Sequence, residues 1–227
     1  STKEEASKNW IFNQNLFFKK KDINIVKTHN CLIPYKGNQF TTNNETLGAI
    51  YIVRDPRNII TSMCNHYSFT LEYALEKILD EKASLSEKAS NGDCSNFTFL
   101  GSWSQHYRSW KNNNNFKVLF IKYEDLKDNK ELIFKKVINF IEELKGKEKT
   151  EFNENRFYNS INSTNFVNLK NKENNEGFEE SYISATGKKI NFFNMGFKND
   201  WCKLLPKKIV KKINFELAKE LKELDYN

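Results

Sequence analysis

The residues of this chain best suited to chemistry are a histidine and an arginine, each closing a short apolar run, and a hydroxyl eight positions past the arginine. The histidine is His29, in the triplet Lys27-Thr28-His29 that comes after Ile23-Asn24-Ile25-Val26. An imidazole with an ordinary pKa of roughly 6.5 can accept a proton near neutrality, and the Lys27 ammonium can stabilise charge developing on a transferred group. Arg54 closes the run Ala49-Ile50-Tyr51-Ile52-Val53, and Ser62 lies about two helical turns further on. A guanidinium at a strand end and a helix-borne hydroxyl can converge on one phosphate, the guanidinium giving paired, charge-assisted hydrogen bonds. Each feature has a plainer alternative. A lone histidine is more often structural than catalytic, Arg54 can pair with a carboxylate, and Ser62 can be an ordinary helix hydroxyl. His66 and His106 are read as structural, the first within a helix and the second between Trp103 and Trp110.

Among the elements that must position these groups, apolar spacing without proline predicts a helix over residues 4–20 and a β-branched strand over 23–26. The nearly unbroken apolar run 49–53 is of the kind found where both faces of a parallel sheet are covered. It ends at Arg54-Asp55-Pro56, where Asp55 can cap a helix and Pro56 suits its first turn, so a helix is expected over 56–67. A helix over 71–79 and a loose polar stretch over 81–93 come next, and apolar spacing returns over 97–110. After the turn 112–115, residues 116–121 form the next candidate core strand, ending at Lys122-Tyr123-Glu124-Asp125. Helices are expected over 130–144, 154–162 and 206–224, with a polar segment over 168–189. Strands alternating with helices argue for an α/β fold with a parallel sheet, whose ligands gather at the carboxyl ends of strands. The clusters after 26, 53 and 121 all stand there.

The length of 227 residues fits one domain, taken as 1–227, and 19 Phe with 9 Tyr make the chain too aromatic for disorder. The net charge of +7 admits anionic partners, but lysine is spread along the whole chain. Neither a compact basic block, an RNP-like aromatic strand nor Cys/His finger spacing is present, so nucleic acid is not an expected partner. Cys31, Cys64, Cys94 and Cys202 are scattered without a C-x-x-C pair, which predicts no metal site and a reduced, cytoplasmic setting. With no apolar run near the ~20 residues a membrane span needs, no membrane partner is expected either.

Taken together, VKTHN at 26–30, YIVRDPRNIITS at 51–62, GSWSQHYRSW at 101–110, FIKYEDLKDN at 120–129 and MGFKNDW at 195–201 resemble successive blocks of the sulfotransferase family that uses 3′-phosphoadenosine 5′-phosphosulfate (PAPS). The resemblance implies a P-loop NTPase-like parallel sheet flanked by helices, and transfer of a sulfuryl group from PAPS, as co-substrate and without a metal, to a small-molecule hydroxyl or amine. It implies His29 as general base with Lys27 beside it, Arg54 and Ser62 as ligands of the 3′-phosphate, and Tyr123, Thr164 and Phe166 around the adenine. Gly196 matches the glycine of the family's late nucleotide-binding loop, whose usual Arg-Lys-Gly reads Asn194-Met195-Gly196 here. That departure removes two cations from the 3′-phosphate site unless Lys188, Lys189 or Lys198 substitutes.

The family's opening strand and phosphate-binding loop, P-K-S-G-T-T-W, have no counterpart in these residues, so the sheet is expected to lack its first strand and the segment to be a truncated domain. A second reading is an impaired sulfotransferase-like module that holds a nucleotide or polyanion without turnover. A third is a basic nucleic-acid binder. A homodimer stays open, and the acceptor pocket is expected from residues 31–44 and 67–99.

Overall fold

The computed structural model describes residues 2–18, 23–86, 97–146, 152–184, 187 and 189–226. The chain opens with helices α1 (Lys3–Lys8) and α2 (Trp10–Phe17), then strand β1 (Gly48–Val53) and helices α3 (Pro56–Tyr67) and α4 (Leu71–Leu79). Next are short strands β2 (Ser84–Leu85) and β3 (Thr98–Phe99), helix α5 (Trp103–Lys111) and strand β4 (Lys117–Lys122). Then come helices α6 (Tyr123–Asp128), α7 (Lys130–Leu144), α8 (Glu154–Ser163) and α9 (Phe166–Glu176), and strands β5 (Tyr182–Ile183) and β6 (Lys189–Ile190). A 3-10 turn at Gly196–Lys198 leads to helices α10 (Trp201–Leu204), α11 (Lys207–Glu216) and α12 (Ala218–Glu223). Strand β1 pairs with β4, β2 with β3 and β5 with β6, the last two pairs antiparallel.

Two compact units divide the chain, residues 1–51 with 77–120 and residues 52–76 with 121–227. Aromatic rings hold the first. Trp10 stacks on Phe97 with centroids 5.6 Å apart, Tyr35 meets the edge of Phe97 at 4.7 Å, and Tyr51 packs among Tyr107, Trp110 and Phe120. Helix α5 starts on a capping box in which Ser102 and Gln105 satisfy one another's backbone donors.

The second unit is built around α3 and the closing helices. Asp55 caps α3 by accepting from the Arg57 N–H at 2.8 Å, and Pro56 occupies the first turn as the sequence predicts. Ile209, Ile213, Leu217, Leu221 and Leu224 recur at three- and four-residue spacing and are all buried, giving α11 and α12 one apolar stripe.

Some expectations fail for local reasons. Residues 23–26 form no strand: no described strand pairs with them, and Ile23, Ile25 and Val26 are exposed. A strand needs a neighbour to satisfy its backbone groups, and β-branching alone supplies none. Both faces of β1 are not covered, since Ile50 and Ile52 are exposed while Val53 is buried. The opening helix divides at Asn9, and the closing helix at Leu217. The polar segment 168–189 carries the rest of α9 and β5, which pairs antiparallel with β6. Cys94 and Lys188 lie outside the described residues.

Candidate functional site

Arg54 comes directly after β1, and its guanidinium lies over the ring of Tyr123, the first residue of α6, with Cζ 4.3 Å from the ring centroid. Two of the expected site residues are thereby in contact. The Nε of Arg54 is buried and has no hydrogen-bond partner among the described residues, an arrangement that is rare in folded proteins. The neighbouring arginine behaves differently. Arg57 is 1% exposed, forms a bidentate pair with Asp55 (Nε–Oδ1 2.9 Å, Nη2–Oδ2 2.8 Å) and stacks on Trp201 at 3.9 Å. Of the two arginines at the head of α3, Arg57 is committed to the fold and Arg54 keeps a donor in reserve.

Ser62 is half-buried on α3, within a face that docks on the segment 194–201. Asn58 Oδ1 accepts from the Trp201 N–H at 3.0 Å, and the Asn58 carbonyl accepts from Asn199 Nδ2 at 2.9 Å. The Thr61 hydroxyl is bonded to Asn199 Oδ1, and Asn65 Oδ1 accepts from Asn194 Nδ2 at 3.2 Å. Positions 58, 61, 62 and 65 share one helical face, so Ser62 belongs to the surface that faces this segment.

Helix α9 grips the same segment with its own side chains. Gly196 has φ +52, and a Cβ there would come within 2.6 Å of the Phe166 ring, so only glycine allows the ring this close. One turn on, Lys170 Nζ donates to the Asn194 carbonyl at 3.4 Å. One turn further, the buried Glu173 carboxylate accepts from the Phe192 N–H at 2.6 Å, the Phe193 N–H at 2.9 Å and the Ser181 hydroxyl at 2.7 Å. Burial alone would raise the Glu173 pKa, but the Ser181 hydroxyl, the two backbone N–H groups and the Lys189 charge outweigh it and hold the carboxyl below its ordinary value. Thr164 stands apart from this contact: its hydroxyl donates to the Ser160 carbonyl at 2.6 Å and closes the end of α8.

In the first unit, Lys27 and His29 lie on an exposed stretch without regular secondary structure. The next two residues are fixed: Asn30 Oδ1 accepts from the Phe99 N–H at 2.9 Å, the Asn30 carbonyl accepts from Trp110 Nε1 at 3.1 Å, and the Cys31 N–H donates to the Phe99 carbonyl at 2.8 Å. His29 itself is held through its carbonyl by His106 Nε2 at 3.1 Å, while His106 Nδ1 is 2.8 Å from the Tyr51 hydroxyl. A carbonyl can only accept, so Nε2 carries the proton and Nδ1 accepts from Tyr51. Burial lowers the His106 pKa, with the bond to the His29 backbone opposing in part and the His29 charge adding to the lowering, so the ring is neutral at neutral pH. His106 thus positions the histidine read as catalytic from the sequence.

A family model for the sulfotransferase domain matches residues 13–225, through both units. The chain belongs to the sulfotransferase domain family. Among curated sulfotransferases, Sulfotransferase 1A1 of Mus musculus is 27% identical over 126 residues, 52% of this chain and 37% of that protein. Amine sulfotransferase of Oryctolagus cuniculus is 28% identical over 120 residues, 48% of this chain and 35% of that protein. The aligned part is thus little more than a third of either relative. The crystal structure of mouse sulfotransferase SULT7A1 complexed with PAP superposes with a TM-score of 0.54 at 23% identity, covering 83% of this chain and 64% of that one. The sulfotransferase likeness here is one of fold, an α/β arrangement with a parallel sheet flanked by helices. Two of the family-like blocks, 51–62 and 195–201, are the ones joined by Asn58, Thr61, Asn199 and Trp201. Sequence reading missed these polar links, as well as Lys170 and Glu173. The only signal for them is polar residues at helical spacing, 58, 61 and 65 in α3 and 170 and 173 beside Phe166 in α9.

Proposed function

We propose that the protein transfers a sulfuryl group from PAPS to the hydroxyl or amine of a small-molecule acceptor, with residues 1–227 as a single sulfotransferase-like domain. The observation that carries this reading is the buried, unpartnered Nε of Arg54 above Tyr123, within a chain of this family. Such an orphaned cationic donor fits an anionic oxygen, and a nucleotide 3′-phosphate supplies several. Arg54 and Ser62 hold that phosphate. Tyr123, whose ring lies under the guanidinium, borders the adenine with Phe166 and Thr164, and Gly196 lets the late loop approach. PAPS supplies a sulfuryl group on a good leaving group, the 5′-phosphate.

His29 accepts the proton of the acceptor O–H or N–H as the heteroatom's lone pair forms its bond to sulfur. The S–O bond to the 5′-phosphate breaks, its electron pair leaves on the phosphate oxygen, and Lys27 offsets the charge on the transferring group. The products are the sulfated acceptor and 3′-phosphoadenosine 5′-phosphate (PAP). His106, neutral and bonded to the His29 carbonyl, keeps the general base in place without competing for its proton.

Sulfuryl transfer from radiolabelled PAPS to a panel of phenols, alcohols and amines tests the reading on the full chain. Transfer is expected with at least one acceptor, falling at least ~100-fold in His29→Ala while PAP affinity stays within about threefold of wild type. Binding of PAP with no transfer to any acceptor would replace this reading by the second one, a nucleotide-holding module.

A further inference from the structure

In this family the loop that ends at the position of Gly196 carries two cations, and here those positions are Asn194 and Met195. Of the nearby lysines, Lys189 is turned to another task. Lys189 lies on β6, its charge helps keep Glu173 ionised, and an added Cβ on Gly177 would stand 4.0 Å from its Nζ. The ammonium that reaches this loop comes from another element.

We propose that Lys170 of α9 supplies the cation for the nucleotide's 3′-phosphate that Asn194 and Met195 lack. The inference rests on the nucleotide-binding reading above. Its geometry is carried by three residues at positions i, i+4 and i+7 of one helix face, all directed at the segment 192–196. Phe166 packs on Gly196, Lys170 donates to the Asn194 carbonyl, and Glu173 holds the Phe192 and Phe193 N–H groups. Lys170 is therefore the middle residue of a docked face whose two ends are anchored. Its half-buried stem runs beside the Phe166 ring, 6.0 Å from Nζ to the centroid.

At its tip the ammonium makes one long bond, to a neutral carbonyl, and pairs with no carboxylate among the described residues. An ammonium has three donors, so two remain for an anion. The side chain of the same Asn194 reaches Asn65, three residues beyond Ser62 on the α3 face. The charge thus sits at Asn194, the residue of the loop that α3 also contacts through Asn65 and one of the two positions that lack a cation.

Calorimetric titration of PAP and of adenosine 5′-phosphate, which lacks the 3′-phosphate, into wild type, Lys170→Ala and Lys170→Arg tests this directly. Lys170→Ala should bind PAP about 10- to 100-fold more weakly, as for loss of one charge-assisted hydrogen bond, and adenosine 5′-phosphate as wild type does. Lys170→Arg should retain PAP within a few-fold. Equal weakening for both nucleotides, or an unchanged preference for PAP in Lys170→Ala, overturns the role of Lys170 while leaving the nucleotide site standing. A wild type that binds PAP no tighter than adenosine 5′-phosphate overturns both. Thermal melts of each variant separate a folding defect from a binding one. Should Lys170→Ala fail to fold, Lys170→Gln, which keeps the stem and removes the charge, is titrated in its place with the same two outcomes.

Discussion

The Phe166 ring lies where a side chain on Gly196 would have to be, with its Cζ 2.6 Å from the position of a Cβ. This contact joins the head of α9 to the late loop, and the loop's positive φ of +52 makes the same demand for glycine independently. Gly196→Ala should therefore cost about 1–3 kcal/mol in urea unfolding and weaken PAP binding. Adding Phe166→Ala should recover part of the stability lost, because the two changes share one contact. Strict additivity of the two losses would contradict the packing described.

Arg57 and Asp55 form a pair with side chains 2% and 5% exposed, and Asp55 also caps α3. Removing one partner leaves the other charge buried without compensation. Arg57→Met should lower stability by about 3–5 kcal/mol, read from the denaturation midpoint at constant slope. A loss well under 1 kcal/mol would mean that the pair does not organise the head of α3.

His106 gives the first unit a pH dependence. Its folded pKa is lowered, chiefly by burial, so as pH falls the unfolded chain takes up this proton before the folded one does. Its contribution to stability is complete above the ordinary histidine value of roughly 6.5 and is lost as pH falls from there through the folded value. His106→Gln, measured between about pH 5 and 8, should flatten this part of the stability profile. Tyr51→Phe, which removes the donor to Nδ1, should cost about 1 kcal/mol at neutral pH. An unchanged profile in His106→Gln would show that the ring is not held neutral.

Much of this was legible in the residues themselves. Asp55-Pro56 announces the start of α3, and its end at Tyr67 and the span 71–79 of α4 fall where apolar spacing puts them. These are local signals, carried by capping and by helical period. The segment 23–26 shows the limit, since β-branching describes a residue's preference, while a strand needs a neighbour that sequence does not name. At the site, Arg54 and Tyr123 stand out as strand-end residues, and the structure puts them in contact. Lys170 and Glu173 did not stand out, because a lysine and a glutamate in a Lys/Asn-rich helix look like solvated surface. Only the return of the later chain, through Ser181 and the segment 192–196, onto α9 gives them partners. Asn58, Thr61 and Asn65 escaped notice for the same reason: their partners lie far along the chain, 141, 138 and 129 residues away.

The central claim is that the orphaned Arg54 donor is there for a nucleotide phosphate, and titration of PAP into wild type and Arg54→Ala tests it most directly. Saturable binding by wild type, weakened at least ~30-fold in Arg54→Ala without loss of fold, is the outcome expected for losing a paired guanidinium contact. Equal PAP affinity in the two proteins would contradict the account.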